Sequence, residues 1–336
     1  MKTYDIAVLG ATGLVGETIL SILEQRQFPV GQLYMLASER SAGTKITFAG
    51  KKITVQDAAE FDFSQVDIGL FSAGSAVSER YAPIAAEAGC VVIDNTSQFR
   101  YDLDVPLIVP EVNADKIEDY QARHIIANPN CSTIQMMVAL KPIYDAVGIT
   151  HIQVATYQSV SGSGRKGVET LENQTKQLFQ GQTVEPGIYP RQIGFNVVPQ
   201  IDPILENGYT REEMKLFWET RKILDDSEIH VNATAVRVPV FYGHAEAIHI
   251  KTKAVMTADQ AKALLRQAPG IILMEEDYPT PIEEGTAQDA VYVGRVRQEI
   301  SNPYGLNLWV VADNVRKGAA LNAVQIAEIL VEKYIR

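Results

Sequence analysis

Tyr4-Asp5-Ile6-Ala7-Val8-Leu9, followed by Gly10-Ala11-Thr12-Gly13-Leu14-Val15-Gly16, decides the fold of the amino-terminal half. The first stretch is a short apolar strand pattern, and the second spaces its glycines at i, i+3 and i+6. A helical pattern through Ile19, Leu20, Ile22 and Leu23 comes next. In this order, glycines let the backbone approach a pyrophosphate and the helix N-terminus supplies N–H donors to it. The spacing is GxxGxxG and not the commoner GxGxxG, so a tight turn with no ligand is the competing reading. The loop's place at the head of the first strand–helix–strand unit favours a dinucleotide.

Outward from that loop, strand patterns at Gln32–Ala37, Val66–Phe71 and Val91–Ile93 alternate with helical ones, one of them carrying Tyr81, Ile84 and Ala85. Such alternation predicts a parallel, doubly wound Rossmann-type sheet over residues 1–127. The end of the second strand should read the adenosine ribose, and it carries Ser38-Glu39-Arg40-Ser41. An acidic residue there favours NAD, whereas an arginine among hydroxyls favours the extra phosphate of NADP. Ser38, Arg40 and Ser41 together tip the reading to NADP.

Beyond residue 127 the pattern changes. Ile152–Gln158 alternates like a half-buried strand, and a glycine- and serine-rich stretch, Ser159 to Gly164, reads as a flexible loop. Residues 183–203 hold several prolines and little periodicity, an irregular excursion. Thr210-Arg211-Glu212-Glu213 and Thr257-Ala258-Asp259-Gln260 are capping boxes that open helices. Counted with Ile152–Gln158, the strand patterns at Val231–Val240 and Ala247–Val255 outnumber the two capped helices, which predicts an α+β domain with a mixed or antiparallel sheet over 128–313. Ala319–Tyr334 reads as a helix, so residues 314–336 are expected to complete the first domain.

The bulk numbers exclude several classes. A chain of 336 residues is longer than one core usually serves. A net charge of −11 disfavours nucleic acid and anionic membranes as partners, yet permits a local basic pocket for a phosphorylated substrate. No apolar run is long enough to cross a bilayer, and no signal-peptide pattern follows Met1. Two cysteines, Cys90 and Cys131, make no disulfide framework, which points to the cytoplasm. No metal site is expected.

Asn128-Pro129-Asn130-Cys131-Ser132-Thr133 sets one of those cysteines behind a turn and at the head of an apolar, helix-periodic run. A thiol at a helix N-terminus sits at the positive end of the backbone dipole, which favours thiolate. Thiolate attack on an aldehyde, loss of hydride to a nicotinamide and attack of phosphate on the thioester would release an acyl phosphate, and the same steps run backward reduce one. Such a site needs an acid/base, an oxyanion donor and anion holders. Tyr157-Gln158, Arg237-Val238-Pro239-Val240 with Gly243-His244, and Glu219-Thr220-Arg221-Lys222 offer them. Lys215, Glu219 and Lys222 share one helix face, although a solvated ion-pair face has the same spacing. Cys90, between a helix and a strand, is the better candidate for an inert core thiol.

At this point the chain resembles the bacterial-type aspartate-semialdehyde dehydrogenases. The matching stretches are GATGLVG (10–16), DNTSQFR (94–100), VPEVN (109–113), NPNCST (128–133), YQSVSGSG (157–164), ETRKI (219–223), RVPV (237–240), GH (243–244) and DNVRKGAALNAVQIAE (313–328). The resemblance implies Cys131 as nucleophile, His244 as acid/base and Gln158 as the group that orients the adduct. It implies Arg237 on the substrate carboxylate, Glu219 near its amino group, Asn130 beside it, and Arg100 and Lys222 on the phosphate. Gly10, Thr12, Gly13, Leu14, Val15, Ser38, Arg40, Ser41, Ser72, Gly74, Ser161, Gly162 and Asn314 would hold NADP, with Asn314 toward the nicotinamide. The substrates implied are aspartyl phosphate and phosphate, on the route to lysine through diaminopimelate, threonine and methionine. The assembly implied is a homodimer or homotetramer built on the second domain. The chain departs from the family at Ala245, where a hydroxyl residue is common. The rival readings are an N-acetyl-glutamyl-phosphate reductase and a dinucleotide-binding interaction protein without turnover.

Overall fold

A computed structural model of the chain describes residues 2–335. Two compact units are present, one formed by residues 1–129 with 319–336 and the other by 130–318.

The first unit contains β1 (Tyr4–Leu9), α1 (Leu14–Gln25), β2 (Val30–Ala37), β3 (Lys45–Phe48), β4 (Lys51–Thr54), β5 (Gln56–Asp57), β6 (Ile68–Phe71), α2 (Ser75–Glu87), β7 (Val91–Asp94), the single turn α3 (Pro110–Asn113) and β8 (Ile125–Ala127). Its sheet runs β5-β2-β1-β6-β7-β8, every neighbouring pair parallel. β1, β6 and β7 are buried along most or all of their length, as strands covered on both faces must be. The chain order reverses beside β1, where the β1–α1 and β6–α2 turns meet, the place at which such sheets bind ligands.

The second unit contains α4 (Cys131–Val147), β9 (Ile149–Gln158), α5 (Arg165–Phe179), α6 (Arg211–Leu224), β10 (His230–Arg237), β11 (His244–Thr252), α7 (Ala258–Gln267), β12 (Ile271–Met274), β13 (Val291–Gln298) and β14 (Gly305–Ala312). Its sheet has the order β10-β9-β11-β14-β13-β12. The β10/β9 and β12/β13 pairs are parallel and the rest antiparallel, so the sheet is mixed. Helix α4 packs across β9, β11, β13 and β14.

The last helix, α8 (Leu321–Lys333), belongs to the first unit. Its Leu321, Val324, Ile326, Ala327 and Leu330 join the core with Ile6, Val8, Ile19 and Leu23. Tyr4 Oη donates to Ile335 O at 2.9 Å, and Arg26 clamps the Glu328 carboxylate at 2.7 and 2.8 Å. Asn322 Nδ2 donates to Asn128 Oδ1 at 2.7 Å and to Ile108 O at 2.9 Å.

The return to the first unit comes at residue 319, later than the expected 314. Hydrogen bonds explain the shift. Asp313 Oδ2 accepts from Ala287 N at 2.7 Å, and Asn314 Oδ1 accepts from Gly243 N at 3.0 Å. Residues 313 and 314 are therefore fastened to the second unit.

Candidate active site

Asn130 builds the start of α4. Its backbone is extended (φ −62°, ψ 145°), and its Oδ1 accepts from Ser132 N at 3.0 Å and Thr133 N at 3.3 Å. An asparagine in this role satisfies N–H groups that a helix start leaves over, a contribution of about 1 kcal/mol. Cys131 is the first residue of the helix and half-buried. The backbone of Gly318 lies against it: a Cβ at Gly318 would fall 2.8 Å from Cys131 Cβ. Cys90 is wholly buried, and burial together with Asp67 pushes its thiol up to about 12, so it is inert as a nucleophile at neutral pH.

Around the cap stands a buried charge network. Asn130 Nδ2 donates to Glu212 Oε1 at 2.9 Å, and Gln158 Nε2 donates to the same oxygen at 3.1 Å. Lys215 Nζ takes Glu212 Oε2 at 2.8 Å and Asp202 Oδ2 at 2.7 Å. Burial opposes ionisation of Glu212, but the Lys215 charge, the hydrogen bonds from Lys215 and Asn130, and the Arg237 charge hold its carboxyl down to about 2. Burial likewise disfavours the Lys215 ammonium, and Glu212 and Asp202 outweigh it, so the lysine stays charged. Glu219, wholly buried, accepts Asn130 N at 2.6 Å through Oε2. Lys222 lies in the last turn of the same helix. The capping box forms as expected: Thr210 Oγ1 accepts Glu213 N, and Glu213 Oε2 accepts Thr210 N at 2.7 Å. Glu213 Oε1 also accepts Ala235 N at 3.0 Å, which fixes α6 against β10.

His244 is the first residue of β11 and has no exposed surface. Its Nδ1 accepts Ser159 N at 3.1 Å and lies 3.0 Å from Ser159 Oγ. Burial, reinforced by the Arg237 charge and only partly offset by Glu212, brings the imidazole down to about 3. Arg237, at the end of β10, donates from Nη1 to Ser159 O at 2.7 Å. It also forms part of the wall of a cleft that includes Ser163, Tyr189 and Asp202. A Cβ at Gly162 would stand 2.7 Å from Arg237 Nη1 and 3.2 Å from His244 Nε2, so only glycine leaves room between those two groups.

The stretch after β9 corrects the expectation of a flexible loop. Ser159, Val160 and Ser161 are buried, and Val160 N and Ser161 N donate to Val240 O at 2.8 Å and Phe241 O at 3.1 Å. Asn314 Oδ1 accepts from Ser159 Oγ at 3.1 Å, Ser161 Oγ at 3.0 Å and Gly243 N at 3.0 Å. Serines so engaged make a rigid turn, whatever their composition suggests. What Asn314 has left to offer a ligand is its amide N–H.

In the first unit the glycine loop fits a pyrophosphate. Gly10 has φ +93°, a conformation that favours glycine, and a Cβ at Gly16 would lie 2.1 Å from Gly10 O. Gly13 caps α1 without any side-chain hydrogen bond, so the N–H groups of Leu14, Val15 and Gly16 are open to an anion. The Ser72–Gly74 turn adjoins the loop: Ser72 N donates to Leu9 O at 2.8 Å, and Gly74 has φ +100°. Thr12 is half-buried, whereas Ser38 and Arg40 are exposed beside the half-buried Ser41 at the end of β2. Arg100 is buried and donates from Nη2 to Asn95 O at 2.9 Å.

The second unit thus brings Asn130, Cys131, Gln158, Ser161, Gly162, Glu219, Arg237, His244 and Asn314 into one neighbourhood, with Glu212, Lys215 and Ser159 as its unforeseen members. Glu212 was legible in part. It lies seven residues before Glu219, hence on the same helix face, but its place within a capping box drew attention to the cap. Glu246 carried no signal. It is wholly buried two residues after His244, and burial raises its carboxyl well above the usual range. Ser132 and Gln135 face it and pull the other way without closing hydrogen bonds of normal geometry.

A Rossmann-type unit with a glycine-rich strand-to-helix loop, and an α+β unit with a helix-capped thiol and a buried histidine, define the semialdehyde dehydrogenase class. Residues 5–120 match the model of the semialdehyde dehydrogenase NAD binding domain, and residues 140–317 that of the dimerisation domain. The chain is 62% identical to the aspartate-semialdehyde dehydrogenase of Shewanella violacea over 99% of both chains, and 59% identical to aspartate-semialdehyde dehydrogenase 2 of Vibrio cholerae over 99% of both. It matches the crystal structure of Vibrio cholerae aspartate semialdehyde dehydrogenase II complexed with ASA at a TM-score of 0.99, with 58% identity and coverage of 99% of this chain and 100% of that one. The NADP-bound Candida albicans enzyme aligns at a TM-score of 0.78, with 26% identity and coverage of 100% of both chains. The chain belongs to the aspartate-semialdehyde dehydrogenase family.

Proposed function

We propose that this enzyme reduces L-aspartyl-4-phosphate to L-aspartate 4-semialdehyde with NADPH and releases phosphate, on the route to lysine, threonine and methionine, by way of a thioester on Cys131. One observation carries the reading: a half-buried thiol opens α4, and its cap residue Asn130 is hydrogen-bonded to Glu212 and Glu219.

The Cys131 sulfur attacks the acyl carbon, the thiol proton leaves with the phosphate as hydrogen phosphate, and a thioester remains. The reduced nicotinamide, when bound, supplies the hydride that takes this thioester to the aldehyde. The sulfur then departs and regains a proton from solvent. The buried Glu212 and Glu219 together with Arg237 set the ground for binding. Arg237 presents a planar fork suited to the substrate's α-carboxylate, Glu219 suits its ammonium, and Gln158 orients the adduct. His244 is assigned the acid/base role at the adduct. Arg100 and Lys222 are assigned to the phosphate.

NADP is favoured over NAD by Ser38, Arg40 and Ser41, whose exposed turn suits a ribose phosphate. The loop from Gly10 to Val15 and the Ser72–Gly74 turn are assigned to its pyrophosphate, and Ser161, Gly162 and Asn314 to the nicotinamide end. Cys90 and Cys131, neither of them in a disulfide, suit a reducing cytoplasm. The second unit is assigned the subunit interface of a homodimer or a dimer of dimers. An open groove across its sheet, lined by Gln153, Asn232, Thr234, His249 and Asn307, supports this.

The test is a spectrophotometric assay with L-aspartate 4-semialdehyde, phosphate and each nicotinamide cofactor. Cofactor reduction should require both the aldehyde and phosphate and should proceed faster with NADP. N-acetyl-glutamate semialdehyde should react at least about 10²-fold more slowly, because an acylated amine brings Glu219 no positive charge where an ammonium would. Equal rates on the two aldehydes would overturn the substrate assignment.

A further inference from the structure

Cys131 opens α4 between two pieces of main chain that have little freedom to move. On one side is its cap: Asn130 N is held by Glu219 Oε2 at 2.6 Å, and Asn130 Nδ2 by Glu212 Oε1 at 2.9 Å. On the other is the turn that follows β14, from Asp313 to Gly318. A methyl at Gly318 would stand 2.8 Å from Cys131 Cβ and 3.3 Å from its Cα, so main chain would have to shift on one side or the other.

The turn owes its shape to Asp313, which is buried. Its Oδ1 accepts Val315 N at 2.8 Å and Arg316 N at 2.9 Å, and its carbonyl oxygen accepts Gly318 N at 2.9 Å. Its Oδ2 accepts Ala287 N at 2.7 Å, and Ala287 has φ +58°, a left-handed conformation that an alanine keeps only where its surroundings hold it. Burial raises the Asp313 carboxyl above its ordinary value, against the pull of these N–H groups and of the Arg316 charge. Arg316 Nε in turn donates to Asp289 Oδ1 at 2.7 Å, and the Lys317 side chain is buried. Arg316–Ala320 is a π-helical turn, a rare form that recurs at functional sites. Asn314, next in the chain to Asp313, carries the amide assigned to the nicotinamide end.

We infer that Asp313 is a positioning residue: its carboxylate braces the turn that seats Gly318 against Cys131, and so sets the thiol relative to the cofactor end at Asn314. The inference rests on the proposed thioester chemistry for its catalytic meaning. Asp313 acts through Gly318, whose missing side chain lets the brace and the nucleophile meet. A displacement of about 1 Å at a reacting group costs about 10² in rate.

Gly318→Ala should therefore lower kcat about 10²-fold with little change in KM. Asp313→Ala, which removes all three side-chain bonds, should do the same. Asp313→Asn keeps an accepting oxygen and should recover at least about tenfold over the alanine variant, the worth of about one hydrogen bond. With the brace gone, the added methyl has room to move back. The double variant Asp313→Ala with Gly318→Ala should thus be little slower than the slower single variant, and losses that multiply would overturn the link.

A measurement without turnover stands apart from the substrate assignment. In cofactor-free enzyme, the pH midpoint of iodoacetamide alkylation at Cys131 should rise in Gly318→Ala and in Asp313→Asn, because a displaced first turn no longer sets its positive end on the sulfur. Circular dichroism shows whether each variant is folded. An aspartate and a glycine that serve packing alone would change stability and leave the thiol as it was, so folded variants with the wild-type midpoint and the wild-type kcat overturn the inference. Should Gly318→Ala fail to fold, Asp313→Asn decides the question by the same two measurements.

Discussion

Asn130 and Glu212 are joined by a 2.9 Å hydrogen bond, and through it the cap of the cysteine helix is anchored to a carboxylate that has no exposure of consequence. The same carboxylate holds Gln158 and Lys215, so the position of Cys131, the orientation of the glutamine and the burial of one ion pair depend on a single side chain.

Glu212→Gln should therefore damage both stability and catalysis. Removing one partner of a buried pair leaves an uncompensated charge, at a cost of about 3 kcal/mol or more, partly relieved because Lys215 keeps Asp202 at 2.7 Å. Chemical denaturation at neutral pH measures it. The pH dependence has a definite sign. The folded carboxyl titrates near 2 and the unfolded one near 4.5, so the unfolded chain binds more protons between them and stability falls as pH drops through that window. The variant should lack this part of the acid loss. An unchanged acid limb would show that Glu212 is not held ionised.

Glu246→Gln should have the opposite signature. The carboxyl of Glu246 titrates well above 4.5 in the folded protein because it is buried, so the unfolded chain gives up its proton first and stability falls as pH rises above about 4.5. The amide removes that penalty without removing volume. Melting temperatures from pH 5 to pH 8 should fall less steeply in the variant. Parallel curves would mean that Glu246 is not a neutral acid.

His244→Gln should also flatten the acid side of the stability profile. The folded imidazole titrates near 3 and the unfolded one near 6.5, so wild-type stability is lost as pH falls between those values. Melting temperatures between pH 4 and pH 6.5 check this, and a slope that the substitution leaves unaltered would contradict a buried neutral ring.

Much of this was legible in the chain. The strand–glycine–helix order announced the parallel sheet, because burial on both faces and the turn chemistry of Gly10 to Gly16 are local properties. Asn130-Cys131 announced a capped thiol for the same reason. The β3–β4 hairpin, β8, α5 and the strands from β12 to β14 were not foreseen. Several of these segments, such as Lys45–Phe48 with Lys51–Thr54, are short and half-exposed, so pairing partners far along the chain decide their state and not their own periodicity. The buried hub was hidden because Glu212, Lys215 and Asp202 read as solvated charges until packing removes the water. The serine turn was misread as flexible because composition says nothing about what the hydroxyls will find.

Arg40→Ala should move cofactor preference toward NAD. Arg40 is exposed beside Ser38, so the change should leave the fold intact. Losing a charge-assisted contact to a phosphate, about 1.5–3 kcal/mol, corresponds to a preference shift of roughly 10- to 150-fold in kcat/KM. Steady-state kinetics with both cofactors decide it, and a preserved NADP preference would assign the phosphate to another residue.

The central claim concerns the sulfur of Cys131, and the most direct measurement is the mass of that side chain during turnover. Enzyme quenched in acid after mixing with aspartyl phosphate, with no reduced cofactor present, should carry one aspartyl group per active site. Peptide mapping should place it on Cys131, and Cys131→Ser should carry none. Unmodified Cys131 in wild-type enzyme that then turns over when NADPH is added would contradict the account.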